Sequence, residues 1–273
     1  MGKDGGQSIK WDVKLTPGEA VKFPRDRNNR ENHYYAARET DAAPLHAEIT
    51  KKGEDDDYDD RGLRGGAVVQ RERFLFYRGV GTFPPPVIVR ALGGDKVRVV
   101  NNSGGRTTGL VLVTVRDGKL SFRPVGELDA GASADATLST TEAKRTDLGD
   151  FLVKELTAAG LYEKEAKAMV KSWDSAWFGE EGTRLLYLVP RSKTDLLLPL
   201  TIDPLPTEVV RVLVGRHDFL TPEAEATATA QVKRLRAAQA ELNAAYTELN
   251  KIGRFSAQAQ QLAETRLDPK PAK

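Results

Sequence analysis

The sequence predicts an α+β protein: an antiparallel β-sandwich with an inserted helical hairpin, followed by a long C-terminal helix. Three observations predict it. Dense apolar runs at 185–189, 196–200 and 209–214 are four to six residues long and bounded by Pro or Gly, lengths that favour strands over buried helices. Valine-rich runs joined by Gly93-Gly94-Asp95 and by Asp117-Gly118 have the connections of β-hairpins, with no helix between them. After Ser139 the apolar period lengthens to three and four residues, the spacing of an amphipathic helix.

Residues 9–15 alternate apolar and polar, the pattern of a strand with one buried face, and Thr16-Pro17-Gly18 supplies a turn. The stretches 33–38 and 45–49 are read as further strands. Residues 51–66 carry Glu54, Asp55, Asp56, Asp57, Asp59 and Asp60 with almost nothing apolar to bury, so they are read as a surface loop. Clustered carboxylates also suit calcium, but the EF-hand spacing fails: Asp60 stands where the turn glycine belongs and Gly66 where the bidentate glutamate belongs.

Residues 71–81 read as a strand entering a glycine turn. Gly79 and Gly81 form a G-x-G, yet Pro84-Pro85-Pro86 follows, not the helix whose N-terminus a dinucleotide needs. Strands are then expected at 87–92, 96–101, 110–115, 119–122 and 134–138.

Leu148, Phe151, Leu152 and Leu156 form one helical face ending at Gly160, and Ala166, Met169, Val170, Trp173 and Trp177 form the next. Trp173, Trp177 and Phe178 are read as core rather than as a ligand-stacking platform. The three apolar runs then return the chain to the sheet, which gives a composite domain over 9–220 with its helical hairpin insert at 141–178. A separate small α+β domain starting near Thr140 is the other layout. Thr221-Pro222-Glu223 starts a helix with a capping hydroxyl, proline in the first turn and a carboxylate at the positive dipole end. In the segment 221–267, Leu235, Leu242 and Leu249 recur every seven residues with Val232, Gln239 and Tyr246 three before each. This seam packs along its own domain, against a protein partner, or against a second copy.

Composition excludes several functions. With 41 basic and 39 acidic residues, the net charge of +2 gives no drive for nucleic-acid binding by counterion release. Zero cysteines exclude disulfides, thiolate zinc sites, iron–sulfur clusters and cysteine nucleophiles. No apolar run reaches the roughly 20 residues that span a bilayer. The opening residues show no export signal, so either the chain is not exported or a signal was removed before this numbering begins.

Tyr35-Ala36-Ala37-Arg38-Glu39-Thr40-Asp41-Ala42, Phe74-Leu75-Phe76-Tyr77-Arg78-Gly79-Val80-Gly81, Trp173 with Trp177-Phe178, the stretch 181–191 and Val214-Gly215-Arg216 give the chain a resemblance. It resembles a family of uncharacterised bacterial proteins, mostly predicted to be exported. The resemblance implies an envelope location, periplasmic or extracellular, and transfers no catalytic residue.

No nucleophile elbow, phosphate loop or H-e-x-x-H zinc motif occurs, and no cofactor is expected. His33, His46 and His217 are the chain's only histidines and so its only candidate imidazole acid–base groups. His33 and His46 with Asp41 would make a hydrolytic or zinc centre if a hairpin joined them; His217-Asp218 reads as a surface pair. Arg38, Arg78, Arg184 and Arg191 lie among apolar neighbours and need carboxylate partners, either as a structural network or as an anion pocket beside Tyr34, Tyr35 and Tyr77. The sequence thus favours a non-enzymatic binding or scaffold protein of the bacterial cell envelope whose C-terminal helix contacts a partner through Leu235, Leu242, Tyr246 and Leu249. A His/Asp hydrolase, metal-assisted or not, and a carbohydrate or anionic-polymer binder are the alternatives.

Overall fold

The computed structural model describes residues 8–23, 32–49, 68–76 and 80–267. It is a mixed helix and strand structure in two compact units, Met1–Phe219 and Leu220–Lys273. The acidic stretch 51–66 lies outside the described residues.

In the first unit all strand pairings among the described residues are antiparallel. β1 (Val13–Leu15), β2 (Leu45–Ile49) and β3 (Val68–Glu72) form one small sheet in that order. β4 (Val87–Gly93) and β5 (Lys96–Asn101) form the second with β8 (Ser133–Thr137). The third sheet has the order β10-β9-β6-β7, built from β6 (Thr107–Arg116), β7 (Lys119–Leu128), β9 (Gly182–Val189) and β10 (Leu213–Phe219). Asp117 and Gly118 join β6 to β7 with φ of 53° and 72°, the left-handed pair that a two-residue hairpin turn needs.

Two helices, α1 (Arg145–Ala158) and α2 (Glu163–Asp174), interrupt the chain between β8 and β9, yet β9 pairs directly with β6. The reason is visible in the side chains. On β6, Val111, Val113 and Val115 join Leu148, Leu152 and Leu156 of α1 and Trp177 and Phe178 in one cluster. Leu110 and Leu112 point the other way and join Val87, Val89, Val97 and Val99 of β4 and β5. β9 splits in the same manner, with Leu186 and Leu188 in the first cluster and Leu185, Tyr187 and Val189 in the second. A strand covered on both faces carries a continuous apolar run instead of an alternating one.

Local caps fix the hairpin of helices. Gly160, at φ 109°, ends α1 where a left-handed residue is required, and the Leu161 amide donates back to the Leu156 carbonyl at 3.2 Å. The Tyr162 amide donates to Glu165 at 2.9 Å at the start of α2.

Several expected strands are corrected. Residues 33–38 form a 3-10 helix, His33–Arg38, because Asn32 caps it by accepting the Tyr34 amide at 3.0 Å. The run at 196–200 is no strand: α3 (Arg191–Leu197) takes its start, and Leu196 is 70% exposed. The run at 209–214 enters β10 only at Leu213, and of 9–15 only Val13–Leu15 is strand. Of the strand expected from 71, only Arg71 and Glu72 are strand among the described residues, as the end of β3 at Val68–Glu72, and 77–79 lie outside the described residues.

The second unit comprises α4 (Pro222–Asn250), a 3-10 turn at Gly253–Phe255 and α5 (Ser256–Leu267). The Thr221 hydroxyl accepts the Ala224 amide at 3.2 Å as the cap of α4.

Candidate functional site

The 3-10 helix gathers three of the expected ligand-binding residues, Tyr34, Tyr35 and Arg38. Arg38 donates from Nε to Glu72 at 2.7 Å and from Nη2 to the other oxygen of the same carboxylate. Its guanidinium lies over the Tyr35 ring at 4.1 Å and the Phe23 ring at 5.4 Å. Arg73 lies over the same Phe23 ring at 5.7 Å and donates to the Thr40 carbonyl at 2.5 Å. These contacts tie the helix to the small sheet and leave Arg38 fully engaged in a fork-to-fork pair.

Tyr34 faces the other way. Its ring meets His33 at 4.0 Å, Phe76 at 4.5 Å and, edge-on, Trp173 of α2 at 6.3 Å. Trp173 lies near-parallel to Trp177 at 6.2 Å. Two ion pairs flank this aromatic seam, Lys171 with Glu39 and Lys164 with Asp41, both at 2.6 Å. Trp177 and Phe178 are core as expected, but Trp173 is 38% exposed and Phe76 44%. The result is a half-open aromatic surface whose polar rim is already paired.

Arg184 belongs elsewhere. It is fully buried on β9, and its guanidinium donates to the carbonyls of Ala176, Trp177, Glu180 and Glu181. Those carbonyls belong to the π-helical turn Ser175–Gly179 and the residues just after it, so Arg184 staples that turn to the sheet. Burial lowers its pKa from the ordinary value and neighbouring Arg216 adds to this, against Asp218, Glu180 and Glu181. Arg216 in turn holds Asp218 at 2.7 Å and Glu180 at 2.6 Å. A guanidinium enclosed in this way offers nothing to an outside anion.

Arg191 begins α3, donating to Asp195 and to the Val209 carbonyl, each at 2.7 Å. Asp195 also accepts from Arg211 at 2.7 Å, and hydrogen bonding to Arg191 and then Arg211 holds its carboxyl below the usual range. Arg38, Arg184 and Arg191 therefore serve three separate partner sets and line no common pocket. Tyr77 and Arg78 lie outside the described residues.

The chain matches no family model, no curated protein and no solved structure.

His33, Asp41 and His46 are not brought together. His33 packs on Tyr34, Asp41 pairs with Lys164, and His46 faces Glu19 at 3.7 Å. Among the described residues no three His, Asp or Glu side chains form a group able to hold a metal ion. Sequence reasoning missed Glu72 and Phe76 as the partners of Arg38 and Tyr34; neither carries a local signal, because both contacts span about forty residues of chain.

On α4, no residue is buried. Leu235 is 69% exposed, Leu242 48%, Tyr246 46% and Val232 46%, while Leu249 is half-buried. No helix among the described residues is long and apolar enough to cross a membrane.

Proposed function

We propose that the protein is a non-enzymatic binding or scaffold protein whose C-terminal helix docks on a protein partner. The observation that carries this reading is the exposed seam of α4. A heptad stripe of Leu235, Leu242, Tyr246 and Leu249 along a helix with no buried residue has apolar surface in water that association would remove. The cluster joining Val87, Val89, Val97 and Val99 to Leu110, Leu112, Leu185 and Tyr187 supports a β-sandwich as the scaffold. The envelope location rests on the family resemblance alone. The test compares the whole chain with one ending at Leu220, by light scattering and by capture of candidate partners. Loss of assembly or capture on truncation is the expected result, and unchanged behaviour of both sinks the reading.

A second reading, a carbohydrate or anionic-polymer binder, is favoured by the half-open aromatic surface of Tyr34, Phe76 and Trp173. Sugar rings stack on such faces. Glycan-array binding that Trp173→Ala abolishes is its expected signature, and an array with no binding removes it.

A further inference from the structure

We infer that the loop between α3 and β10 encloses a binding site for a small monocarboxylate with a short hydrocarbon tail. The site lies wholly in the first unit and is independent of α4. α3 ends at Leu197, and the chain then passes through Pro199, Pro204 and Pro206, with neither strand nor helix, before β10 begins at Leu213. Two arginines close this loop. Arg191, at the start of α3, donates to the Val209 carbonyl at 2.7 Å, and Arg211 donates to the Leu198 carbonyl, so the far end of the loop is tied back to α3 twice. Asp195 accepts from both arginines at 2.7 Å. A cavity of about 280 Å³ remains, lined by these three side chains and by Leu200, Ile202, Leu205 and Val209.

The charge of the cavity sets the head of the ligand. Two guanidinium groups meet one carboxylate, and hydrogen bonding to both keeps Asp195 ionised, so one positive charge is left over for a single anion to neutralise. Donors are left over too. Arg191 uses Nε and Nη1, and Arg211 uses Nη1 and Nη2, so Arg191 Nη2 and Arg211 Nε have no hydrogen-bond partner among the described residues. The Arg211 side chain is only 13% exposed, and a charge so sheltered from water attracts an anion more strongly than one on an open surface.

The walls set the tail. Leu200, Ile202 and Leu205 are all exposed, and a hydrocarbon laid against them removes that apolar surface from water. A peptide chain fits less well, because its amide groups need partners. Pro199 and Pro206, which also line the cavity, have no amide hydrogen, and the Leu198 and Val209 carbonyls already accept from the arginines. The volume falls just below the roughly 300–1,000 Å³ of pockets that take drug-sized ligands, so the tail is short.

Calorimetric titration of the whole chain with octanoate is expected to show one saturable site with a dissociation constant of about a millimolar or below. Octanol, which lacks the charge, and acetate, which lacks the tail, should each bind at least about tenfold more weakly. Leu205→Asp, at a position 87% exposed where folding is not at stake, adds a second carboxylate to the cavity and should weaken octanoate at least about tenfold with an unchanged urea midpoint. Leu205→Asn, of the same size without the charge, should lose less. No saturation by octanoate, octanol binding as tightly as octanoate, or octanoate binding that Leu205→Asp leaves unchanged each overturns the site. N-acetyl-leucine binding more tightly than octanoate overturns the hydrocarbon tail in favour of a peptide terminus. None of these outcomes bears on α4, whose docking is read by truncation at Leu220.

Discussion

Gly215 sits directly opposite Tyr187 in the antiparallel register of β10 on β9, and the tyrosine ring occupies the space a side chain at 215 would need. A Cβ built on Gly215 would lie 2.8 Å from Tyr187 Cε1 and nearer still to Cζ and Cε2. The glycine is required by close approach, not by an unusual backbone angle. Gly215→Ala is therefore expected to destabilise the first unit by about 2 kcal/mol through overpacking. In a Tyr187→Leu background the same change should cost measurably less, because the two sites are coupled. Urea unfolding of the four chains checks this, and equal costs in both backgrounds would refute it.

Asn101 is a second position where one buried side chain holds several segments. Its Nδ2 donates to the carbonyls of Gly105 and Leu128 at 2.8 Å and Asp129 at 3.0 Å, while Oδ1 accepts from the Ser103 amide and hydroxyl at 2.9 and 2.7 Å. Replacing the amide nitrogen by an oxygen sets carboxylate against three carbonyls. Asn101→Asp should cost about 3 kcal/mol or more, and Asn101→Ala about 2 to 3 kcal/mol. A midpoint shift below that of an ordinary surface substitution would show the network to be dispensable.

How much of this was legible in the sequence follows from the range of each contact. The hairpin at Asp117-Gly118 and the cap at Thr221 were legible because both depend on residues within a few positions. The doubly covered strands β6 and β9 were legible as continuous apolar runs. The leucines at 196–200 misled for the same reason, since an apolar run does not state its period; Pro190 and the bond from the Thr194 amide to the Pro190 carbonyl at 2.9 Å start a helix there instead. Tyr34-Tyr35 has strand composition, and only Asn32 hinted at a cap. Arg38 and Arg184 were read as needing carboxylate partners, but the partners themselves were not legible: Arg38 found Glu72 across 34 residues, and Arg184 found backbone carbonyls, which every sequence supplies and none advertises.

Arg184 leads to a prediction that separates charge from geometry. Arg184→Lys keeps the charge but presents three donors from one point, where the fork of Arg184 reaches four carbonyls. Both Arg184→Lys and Arg184→Met should therefore be destabilised by about 3 kcal/mol or more. Full rescue by lysine, measured by thermal or urea unfolding, would refute the stapling role.

The ion pairs around the 3-10 helix should differ sharply in weight. The Arg38 and Glu72 side chains are 11% and 19% exposed, whereas Lys171 and Glu39 are 62% and 58% exposed. Removing Arg38 or Glu72 should cost about 2 kcal/mol, and removing Lys171 at most about 0.5 kcal/mol. Double-mutant cycles over both pairs give the comparison. Coupling in the Lys171 pair equal to that in the Arg38 pair would mean that exposure does not set the hierarchy.

Tyr187 makes the stability of the first unit sensitive to alkali. Burial pushes its phenol above the ordinary value of about 10, with a backbone hydrogen bond at Val87 working in the opposite direction. The folded chain therefore keeps this proton at a pH where the unfolded chain has lost it. Below about pH 10 both states are protonated and the contribution is whole; above it, unfolding releases a proton, and stability falls by up to about 1.4 kcal/mol per pH unit until the folded-state value is passed. Tyr187→Phe removes that release while keeping the ring against Gly215. Its urea midpoint should fall less steeply than that of the parent chain between about pH 9 and about pH 11, whatever its offset at neutral pH. Identical alkaline slopes would mean that Tyr187 ionises as readily inside the fold as outside it, and that its ring is not shielded from water as the register with Gly215 requires.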